Sequence, residues 1–323
     1  MDALSEVLRA VKLEGALFFH GEFSAPWCFR TVDADAASPL LAPGAHRLII
    51  YHYLIEGRAN ARLETGARVP LSAGDIVIFP HGDAHYIANG LPENPVDSFT
   101  AFAGAVSEGL KAVHYGGGGE ITRFVCGFMA CQSRLCHMFL AGLPRILRVN
   151  VADGPSGEWL RNSILYSAGG LGHPQSGGSL VIARLSELLF VETLRGYINS
   201  LPPGQTGWLG AARDPVISRA LALLHQKPAH PWTLPELSRE LGLSRTRFAE
   251  RFQSFLGESP MAYLTRWRVQ LAAERLESTN ATVAEIAFEV GYGSEAAFNR
   301  AFRRDFGCPP AQFRRARRTA ASA

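Results

Sequence analysis

The side chains best suited to chemistry in this sequence lie on two short segments near its C-terminus. In each segment two phenylalanines, four residues apart, share one face of a helix that turns about 100° per residue. The opposite face and its flanks carry Thr246, Arg247, Ala249, Glu250 and Gln253 in the first segment, and Glu295, Ala296, Asn299, Arg300 and Arg303 in the second. Side chains of these types contact base edges, so both faces could enter the major groove of a DNA duplex.

These segments belong to an internal repeat. The first half of the repeat predicts a short capped helix before each segment. The motif Thr-x-x-Glu occurs at 233–236 and again at 282–285, an offset of 49 residues. This spacing predicts a capping box, in which threonine accepts from the third amide of the helix and glutamate accepts from the threonine amide. We therefore expect short helices over 234–241 and 283–290.

The second half of the repeat predicts a tight turn and a second helix in each copy. Gly242 and Gly291 can take the left-handed backbone that ends a helix, and Ser244 and Ser294 can cap the helix that follows. One residue is inserted in the second turn, at Gly293, and the phenylalanine pairs then repeat at an offset of 50. Helix, glycine turn and helix is the pattern of a helix-turn-helix.

A long helix predicted over 260–278 joins the two copies, and the region around it is basic. A helix of about 18 residues is roughly 27 Å long, and consecutive major grooves on one face of DNA lie about 34 Å apart. From Val216 to Ala323 there are 16 Lys and Arg against 10 Asp and Glu, a net charge of +6, whereas the rest of the chain carries −3. This distribution favours duplex binding over a plain helical bundle with a phenylalanine core.

Residues 216–318 resemble the DNA-binding domain of the AraC/XylS family. The resemblance rests on Val290-Gly291-Tyr292, on the run Phe298-Asn299-Arg300-Ala301-Phe302-Arg303-Arg304, and on Phe306-Gly307-Cys308-Pro309-Pro310. It implies two helix-turn-helix subdomains that bind DNA to regulate transcription. It also implies which positions face bases, namely those of Thr246, Ala249 and Glu250 in the first motif and those of Glu295, Ala296, Asn299 and Arg300 in the second.

Short apolar runs separated by turn residues occupy the N-terminal half. The run at 48–55 is rich in β-branched and aromatic residues, and shorter runs at 59–64, 75–79 and 86–88 follow it, with glycine, proline and asparagine between them. Many short strands with such turns favour a small barrel or jelly roll.

One segment of this half carries a more specific pattern. Its spacing, which is similar to the second motif of the cupins, is Gly74-x5-Pro80-x-Gly82-x2-His85-x3-Asn89. His52-x3-Glu56 is a weaker echo of the first cupin motif. Residues 1–150 thus resemble the cupin-type sensor domain of AraC-like regulators. That resemblance implies either a small-molecule effector or an oxidant sensed through cysteine.

His52, Glu56 and His85 are the effector-pocket and metal candidates that the resemblance implies. In a metal-binding cupin they would converge on one ion, and imidazole with carboxylate suits Zn²⁺, Fe²⁺ or Mn²⁺. Ile50, however, stands where metal-binding cupins carry a further histidine. We expect no obligatory cofactor, and two alternatives stay open. Either a metal ion binds these three residues, or His85 bonds locally at a strand end while His52 is a satisfied barrel residue.

Cys28, Cys126, Cys131 and Cys136 are the candidates for sensing an oxidant. The last three lie five residues apart, which is not a zinc-finger spacing and would scatter them around a regular helix. One interpretation is that these cysteines are small buried hydrophobes. The other is a thiol switch, in which a nearby arginine lowers the pKa of one thiol.

The segment 151–205 predicts loops followed by an apolar-faced helix over 180–198. The resemblance implies that this helix pairs two subunits, and packing on its own barrel is the alternative. Asp214 and Pro215 then predict a cap and a first turn for the next domain.

No apolar run reaches the roughly 18 residues that span a bilayer, and the N-terminus lacks signal-peptide features. Five cysteines do not suggest a secreted disulfide framework, so the cytoplasm is the expected compartment.

The sequence therefore predicts a multidomain α+β chain with three parts. These are a cupin β-barrel over 1–150, a helical connector and candidate dimerisation segment over 151–205, and an all-α double helix-turn-helix domain over 214–318. The favoured function is sequence-specific regulation of transcription, as an activator and not as an enzyme. The expected partners are double-stranded promoter DNA, RNA polymerase, a small-molecule effector or oxidant, and a second copy of the chain, with no membrane. The alternative is a metal-dependent cupin enzyme that carries a nucleic-acid-binding module.

Overall fold

The computed structural model of the chain describes residues 2–90, 95–98, 112–152, 157–163 and 178–321. The chain divides into two compact units. The β unit comprises Lys12–Gln132 and Leu143–Ser200, and the helical unit comprises Met1–Val11, Ser133–Gly142 and Leu201–Ala323. The helical unit therefore includes two short segments of the N-terminal half in addition to the predicted DNA-binding domain.

The described strands of the β unit form two sheets. They are β1 (Leu13–Ser24), β2 (Trp27–Thr31), β3 (Arg47–Glu56), β4 (Arg58–Leu63), β5 (Arg68–Ser72), β6 (Asp75–Phe79), β7 (His85–Asn89), β8 (Val96–Asp97), β9 (Ala112–Gly116), β10 (Ile121–Cys131) and β11 (Leu147–Asn150). Their orders are β11-β6-β3-β10-β1-β9 and β5-β4-β7-β2-β8. One core, rich in aromatic side chains such as Phe23, Trp27, Phe29 and Phe124, draws on both sheets. This confirms the β-rich fold class predicted for the N-terminal half.

The described helices are distributed over the two units. They are α1 (Ala3–Val11), α2 (Ala34–Leu41), α3 (Leu135–Leu140), α4 (157–163), α5 (Gly178–Ser200), α6 (Gly207–Arg213), α7 (Pro215–Gln226), α8 (Leu234–Glu240), α9 (Arg245–Leu256), α10 (Pro260–Ser278), α11 (Val283–Glu289), α12 (Glu295–Phe306) and α13 (Pro310–Ala321). Within the described residues, none of these helices has the length and apolar character needed to cross a bilayer.

Helix α5 packs against its own sheet, as in one of the two alternatives posed for its apolar face. It lies on β1, where a Cβ added to Gly15 would come within 2.6 Å of Ser186 Cβ. The Tyr51 hydroxyl of β3 is 2.8 Å from the Ser186 hydroxyl. At the start of the same helix, Leu180 and Val181 are left 60% and 52% exposed, so part of its apolar surface stays uncovered.

In the helical unit, the predicted caps and turns are confirmed. Asp214 caps α7 by accepting from two backbone amides, and Ser244 and Ser294 cap α9 and α12. The turn glycines Gly242 and Gly291 have φ values of +68° and +93°, the left-handed region that glycine reaches without strain. The long helix α10 begins and ends where the sequence predicted.

The phenylalanine pairs form the cores of both copies, as predicted. Phe248, Phe252, Phe298 and Phe302 are all fully buried. Within each pair the rings meet edge to face, with centroids 5.8 Å apart in the first copy and 5.5 Å in the second. This arrangement of aromatic rings adds to the free energy of burial, and it fixes which faces of α9 and α12 remain exposed.

The capping box forms in the second copy but not in the first. The Thr282 amide and hydroxyl donate to Glu285 over 2.7 and 2.9 Å, and the Glu285 amide donates back over 3.1 Å. In the first copy the Glu236 carboxylate instead meets His230, at 2.7 Å. Only half of that predicted box is therefore present, because a histidine just upstream competes for the glutamate.

Replacing Thr282 by alanine is expected to destabilise the protein by about 1 kcal/mol, because the helix loses a cap and Glu285 loses its partner. Thr233→Ala is the matched control, since Thr233 accepts a single bond of 3.3 Å. Chemical denaturation of the two full-length variants measures the difference. Equal losses would show that the second capping box adds nothing to the threonine cap.

Candidate functional site

Helix α9 presents its predicted contact residues to solvent. Thr246, Arg247, Glu250 and Gln253 are exposed, and Ala249 is half-buried. The Gln253 side chain also donates to the Gly257 carbonyl over 2.8 Å at the end of the helix. The exposed face therefore offers one cation, one anion and short polar groups, with no net charge.

Helix α12 presents a different chemistry at the matching place. Glu295, Ala296, Arg300 and Arg303 are exposed, and Asn299 is half-buried with its amide 3.5 Å from Glu295. Within the described part of the chain, Arg300 and Arg303 have no acidic partner. Their guanidinium groups are therefore available for a phosphate or a guanine edge.

Other arginines of the helical unit have structural roles. Arg251 pairs with Asp214, the cap of α7. Arg268 donates to the carbonyls of Pro228 and His230 over 2.6 and 2.7 Å, and the Arg314 guanidinium likewise donates to backbone carbonyls. Net charge alone thus overstates how many cations are free to bind DNA.

In the β unit, His52 of β3 and His85 of β7 lie side by side in the core. Both rings are buried, and their Nε2 atoms are 2.8 Å apart. His85 Nδ1 is 2.7 Å from the Asp83 carbonyl oxygen, and Phe79 stacks on the His85 ring at 3.5 Å between centroids. The resemblance thus pointed to two side chains that the fold does bring together.

Cys126 of β10 completes a hydrogen-bonded Cys126–His52–His85 triad. It lies directly across from His52 in the antiparallel pairing of β3 and β10, is 1% exposed, and contacts His52 Nδ1 through Sγ. Sequence reasoning missed this partnership. The two residues are 74 positions apart, and only the strand register places them opposite each other.

The hydrogen-bond directions in this triad follow from its far end. The Asp83 carbonyl can only accept, so His85 Nδ1 carries a hydrogen, and its neutral Nε2 accepts from His52. His52 Nδ1 is then the acceptor for the Cys126 thiol. Burial lowers the pKa of His52 well below its usual range and that of His85 to about 4, and it raises the pKa of the Cys126 thiol. All three groups are therefore neutral at neutral pH.

Glu56 is not brought to the histidines. It lies exposed at the end of β3, paired with Arg123, which also bonds Glu22 over 2.8 Å. The register of β3 against β10 shifts between Arg123 and Phe124, and this irregularity accompanies the outward position of the carboxylate. The three-residue convergence on one ion that the resemblance implied is therefore not what the structure shows.

The triad does not fit a resident metal ion as it stands. Cys126 and His85 bond opposite nitrogens of the His52 ring, and one ion cannot bind both nitrogens of a single imidazole. Among the residues that the structure describes, no group of three or more His, Cys, Asp or Glu side chains is placed to hold a metal.

The four candidate cysteines occupy different environments. Cys126 is buried in the triad, while Cys28 of β2 is half-buried and free, and burial raises its pKa. Cys131 and Cys136 are both buried. The structure thus does not gather the four thiols, and only Cys126 has a hydrogen-bonded imidazole.

A small, mostly apolar pocket has Cys126 among its lining residues. Ala37 and Leu41 of α2 line one side of it, Ile50 and Phe128 line the sheet side, and Cys126 and His52 belong to the same lining. The enclosed space is about 20 Å³, room for one water-sized molecule.

Comparison with known proteins identifies the class. The family model described as Cupin matches residues 2–199, and the one described as Helix-turn-helix domain matches residues 237–316. Because the first match covers more than half of the chain, the protein belongs to the cupin family. The second match covers α9 and α12, whose predicted contact faces are exposed. The protein is therefore a DNA-binding transcription regulator of the AraC type with a cupin N-terminal domain.

Several known regulators are similar to this chain along its length. The HTH-type transcriptional regulator AlkR of Acinetobacter baylyi is 30% identical over 318 residues, covering 97% of this chain and 99% of AlkR. A putative AraC-like transcription regulator of Streptomyces lividans is 30% identical over 98% of both chains. The RCS-specific activator RclR of Escherichia coli is 26% identical over 97% of both. These names confirm the predicted AraC-like resemblance and indicate a regulator in place of an enzyme.

Proposed function

We propose that the chain reads promoter DNA through the predicted residues of α9 and α12, and that its cupin domain receives a chemical signal that changes this binding. The observation that carries the proposal is the exposed, unpaired guanidinium of Arg300 on the face opposite a buried phenylalanine core. An arginine presented in this way can bond the O6 and N7 atoms of guanine with two hydrogen bonds.

The two reading helices make unequal contributions in this proposal. On α12, Arg300 and Arg303 supply attraction to the duplex, with Asn299 and Glu295 beside them. On α9, Glu250 can accept from cytosine N4, and the short Ala249 can contact a thymine methyl group. We infer that α12 supplies more of the grip and α9 more of the base preference.

Replacing Arg300 by alanine is expected to weaken binding to the cognate operator by about 1–3 kcal/mol, or roughly 5- to 150-fold, because one base contact is lost. An operator is first obtained by selecting bound fragments from genomic DNA. Dissociation constants are then measured at one fixed salt concentration, because phosphate contacts depend strongly on salt.

Arg275→Ala is the matched control for this measurement. Arg275 is an exposed arginine of α10 that pairs with Glu289, so its loss changes the net charge equally without touching a reading helix. We expect its operator affinity to stay close to that of the unaltered protein. If the folded Arg300→Ala variant binds as well as this control, Arg300 does not read the operator.

Further parts of the proposal concern partners and compartment. We propose a cytoplasmic activator that contacts RNA polymerase, works without catalysis or an obligatory cofactor, and pairs with a second copy of the chain. The activator role is supported by the name of RclR, and pairing by the exposed Leu180 and Val181 of α5. The domain borders at 150, 205 and 214 remain predictions. Sedimentation of the protein alone and with operator DNA tests the dimer.

A further inference from the structure

We propose that Arg134 is a positioning residue for the second reading helix, α12, although it belongs to the N-terminal half of the chain. It lies on the segment Ser133–Gly142, which is part of the helical unit and which we call the bridging segment. This role rests on the proposed function, because it concerns how α12 meets its bases, and the two can fail separately in the experiment.

The start of the bridging segment is anchored on α10, the helix that joins the two copies. The Ser133 hydroxyl donates to the Glu274 carboxylate, and Arg134 Nη1 is 3.0 Å from Glu277 Oε1. Glu274 and Glu277 are three residues apart, so they lie on one face of the helix. The side chains of Arg134 and Glu277 are only 20% and 16% exposed. The ion pair is therefore shielded from solvent, which strengthens the attraction between its charges.

The Arg134 guanidinium also covers the aromatic core of the second copy. Its central carbon lies 5.8 Å from the ring centroid of Phe306 and 5.4 Å from that of Phe313, within the range of cation–π attraction. The centroids of these two rings are 5.0 Å apart, and the Phe306 ring stacks on that of Phe302 at 4.6 Å. Phe306 is the last residue of α12. Arg134 thus links the end of α12 to Glu277 of α10.

The far end of the bridging segment contacts a support of the first copy. The Phe139 ring meets that of Trp208 in α6 edge to face, with centroids 5.2 Å apart. Leu135, Phe139 and Leu140 are all buried. Helix α6 in turn packs on α9, the reading helix of the first copy. One short segment therefore contacts the supports of both reading helices.

An unpaired donor argues that Arg134 serves placement more than stability. Arg134 Nε is buried and has no hydrogen-bond partner among the residues that the structure describes. A buried donor without a partner lowers stability, and exchanging a buried ion pair for apolar groups is often neutral or stabilising. What arginine supplies here is a directed bond to Glu277 from a planar group that also packs on two aromatic rings.

The placement of α12 matters because base reading tolerates little displacement. Arg300 lies six residues before Phe306, about 9 Å along the helix at 1.5 Å per residue, so a tilt at the end of α12 moves its guanidinium. Hydrogen bonds to a base need donor–acceptor distances of about 2.7–3.2 Å, and a bidentate contact must meet two of them at once. Loss of Arg134 should therefore weaken the contacts of α12 and spare those of α9.

The test is the operator profile of Arg134→Met in the full-length protein, since methionine keeps an apolar stem and removes the charge. Each base pair of the selected operator is substituted in turn, and the loss of affinity is measured at one salt concentration. Substituting a base that is read should cost the unaltered protein roughly 5- to 150-fold. In Arg134→Met we expect these losses to fall below about 3-fold at one cluster of neighbouring bases, the cluster that Arg300→Ala also affects, and to persist elsewhere.

Arg266→Met is the matched control in the first copy. Arg266 pairs with Glu258 and lies over the Tyr263 ring at 5.4 Å, and Tyr263 holds the repeat position that Phe313 has in the second copy. We expect this variant to keep the losses at the cluster that Arg300→Ala affects. Equal profiles for the two variants, or a loss of affinity in Arg134→Met that is uniform over the operator, would overturn the proposal.

A double variant separates positioning from independent binding. Adding Arg300→Ala to Arg134→Met should weaken operator binding by no more than about 2-fold, because the contact of Arg300 is already lost. Single effects that multiply in the double variant would overturn the positioning role. If Arg300→Ala alone has no effect, the proposed reading by Arg300 fails, while losses that shrink at one cluster in Arg134→Met would still support positioning of α12.

Chemical denaturation establishes that each variant is folded. Where Arg134→Met does not fold, Glu277→Gln replaces it, because the amide keeps the shape of the side chain and removes the charge that Arg134 meets. Arg317 also pairs with Glu277, over 3.3 Å, so Arg317→Ala is measured beside it and should leave the profile unchanged. An operator profile of folded Glu277→Gln that matches the unaltered protein would overturn the proposal.

Discussion

Replacing Gly291 by alanine is expected to destabilise the full-length protein by about 2–5 kcal/mol, whereas the same change at the matching Gly242 should cost about 1–2 kcal/mol. Both glycines have a positive φ, and the left-handed backbone costs an alanine roughly 1–2 kcal/mol at either position. The additional loss at Gly291 comes from overlap, which typically costs about 1–3 kcal/mol in a packed interior.

The overlap at Gly291 involves backbone that cannot easily move. A Cβ there would lie 2.7 Å from Ala229 Cα and 2.8 Å from its carbonyl oxygen, whereas a Cβ on Gly242 would meet nothing within 4 Å. The residues on either side of Ala229 are fixed by Arg268, which donates to the carbonyls of Pro228 and His230. The turn of the second copy therefore packs closely against the segment that precedes the first.

Chemical denaturation followed by tryptophan fluorescence measures both variants, because Trp267 is buried in the helical unit. The Gly242→Ala variant is the control for the left-handed backbone alone. A Gly291→Ala protein no less stable than that control would mean that the approach to Ala229 is looser than the structure shows. Operator binding by the same variants reports whether the two copies keep their relative placement.

The helical unit was largely predictable because its signals are local. The caps at Asp214, Ser244 and Ser294, and the turns at Gly242 and Gly291, each depend on residues within a few positions of one another. The phenylalanine spacing then determined which face of each helix would be buried. The one local prediction that was wrong, the capping box at 233–236, was overturned by His230, a competitor that the Thr-x-x-Glu spacing does not include.

The candidate sensing site was only partly predictable, since strand register is not a local property. His52 and His85 could be selected through a resemblance, but Cys126 became their partner through a cross-strand pairing over 74 positions. The outward position of Glu56 goes with an irregularity in the same pairing. Strand β1, with glycines and charged residues among its apolar ones, gave no clear alternation and was not predicted.

The second large expected effect is a loss of stability of the helical unit in acid, and it comes from His225. Its ring is buried, stacks on Trp267 at 4.0 Å and bonds the Tyr263 hydroxyl over 2.8 Å. Burial lowers the pKa of His225 from 6.5 to about 3. The unfolded chain therefore binds one more proton than the folded one between these values. Stability is fully present above about pH 6.5 and falls with pH below it, by up to about 1.4 kcal/mol per unit.

Over the whole window this amounts to a loss on the order of 4–5 kcal/mol from one residue, and about 2 kcal/mol between pH 7.5 and pH 5. In the upper part of this pH window, the change in stability comes from histidine and not from carboxylates. Carboxylates with a lowered pKa, such as that of Glu285, which accepts from the Thr282 amide, lose their contribution only at lower pH. Buried His52 and His85 add the same sign of effect in the β unit.

The His225→Phe variant tests this directly. Its ring can still stack on Trp267, while the Tyr263 hydroxyl loses an acceptor, so the variant should be less stable by about 1–3 kcal/mol at pH 7.5. Its stability should fall by about 2 kcal/mol less than that of the unaltered protein on going to pH 5. Replacing the exposed His137 by glutamine is the control. A buried neutral histidine destabilises the folded chain at low pH because only the unfolded chain can protonate it. Parallel pH curves for His225→Phe and the unaltered protein would therefore show that His225 does not set the acid limit.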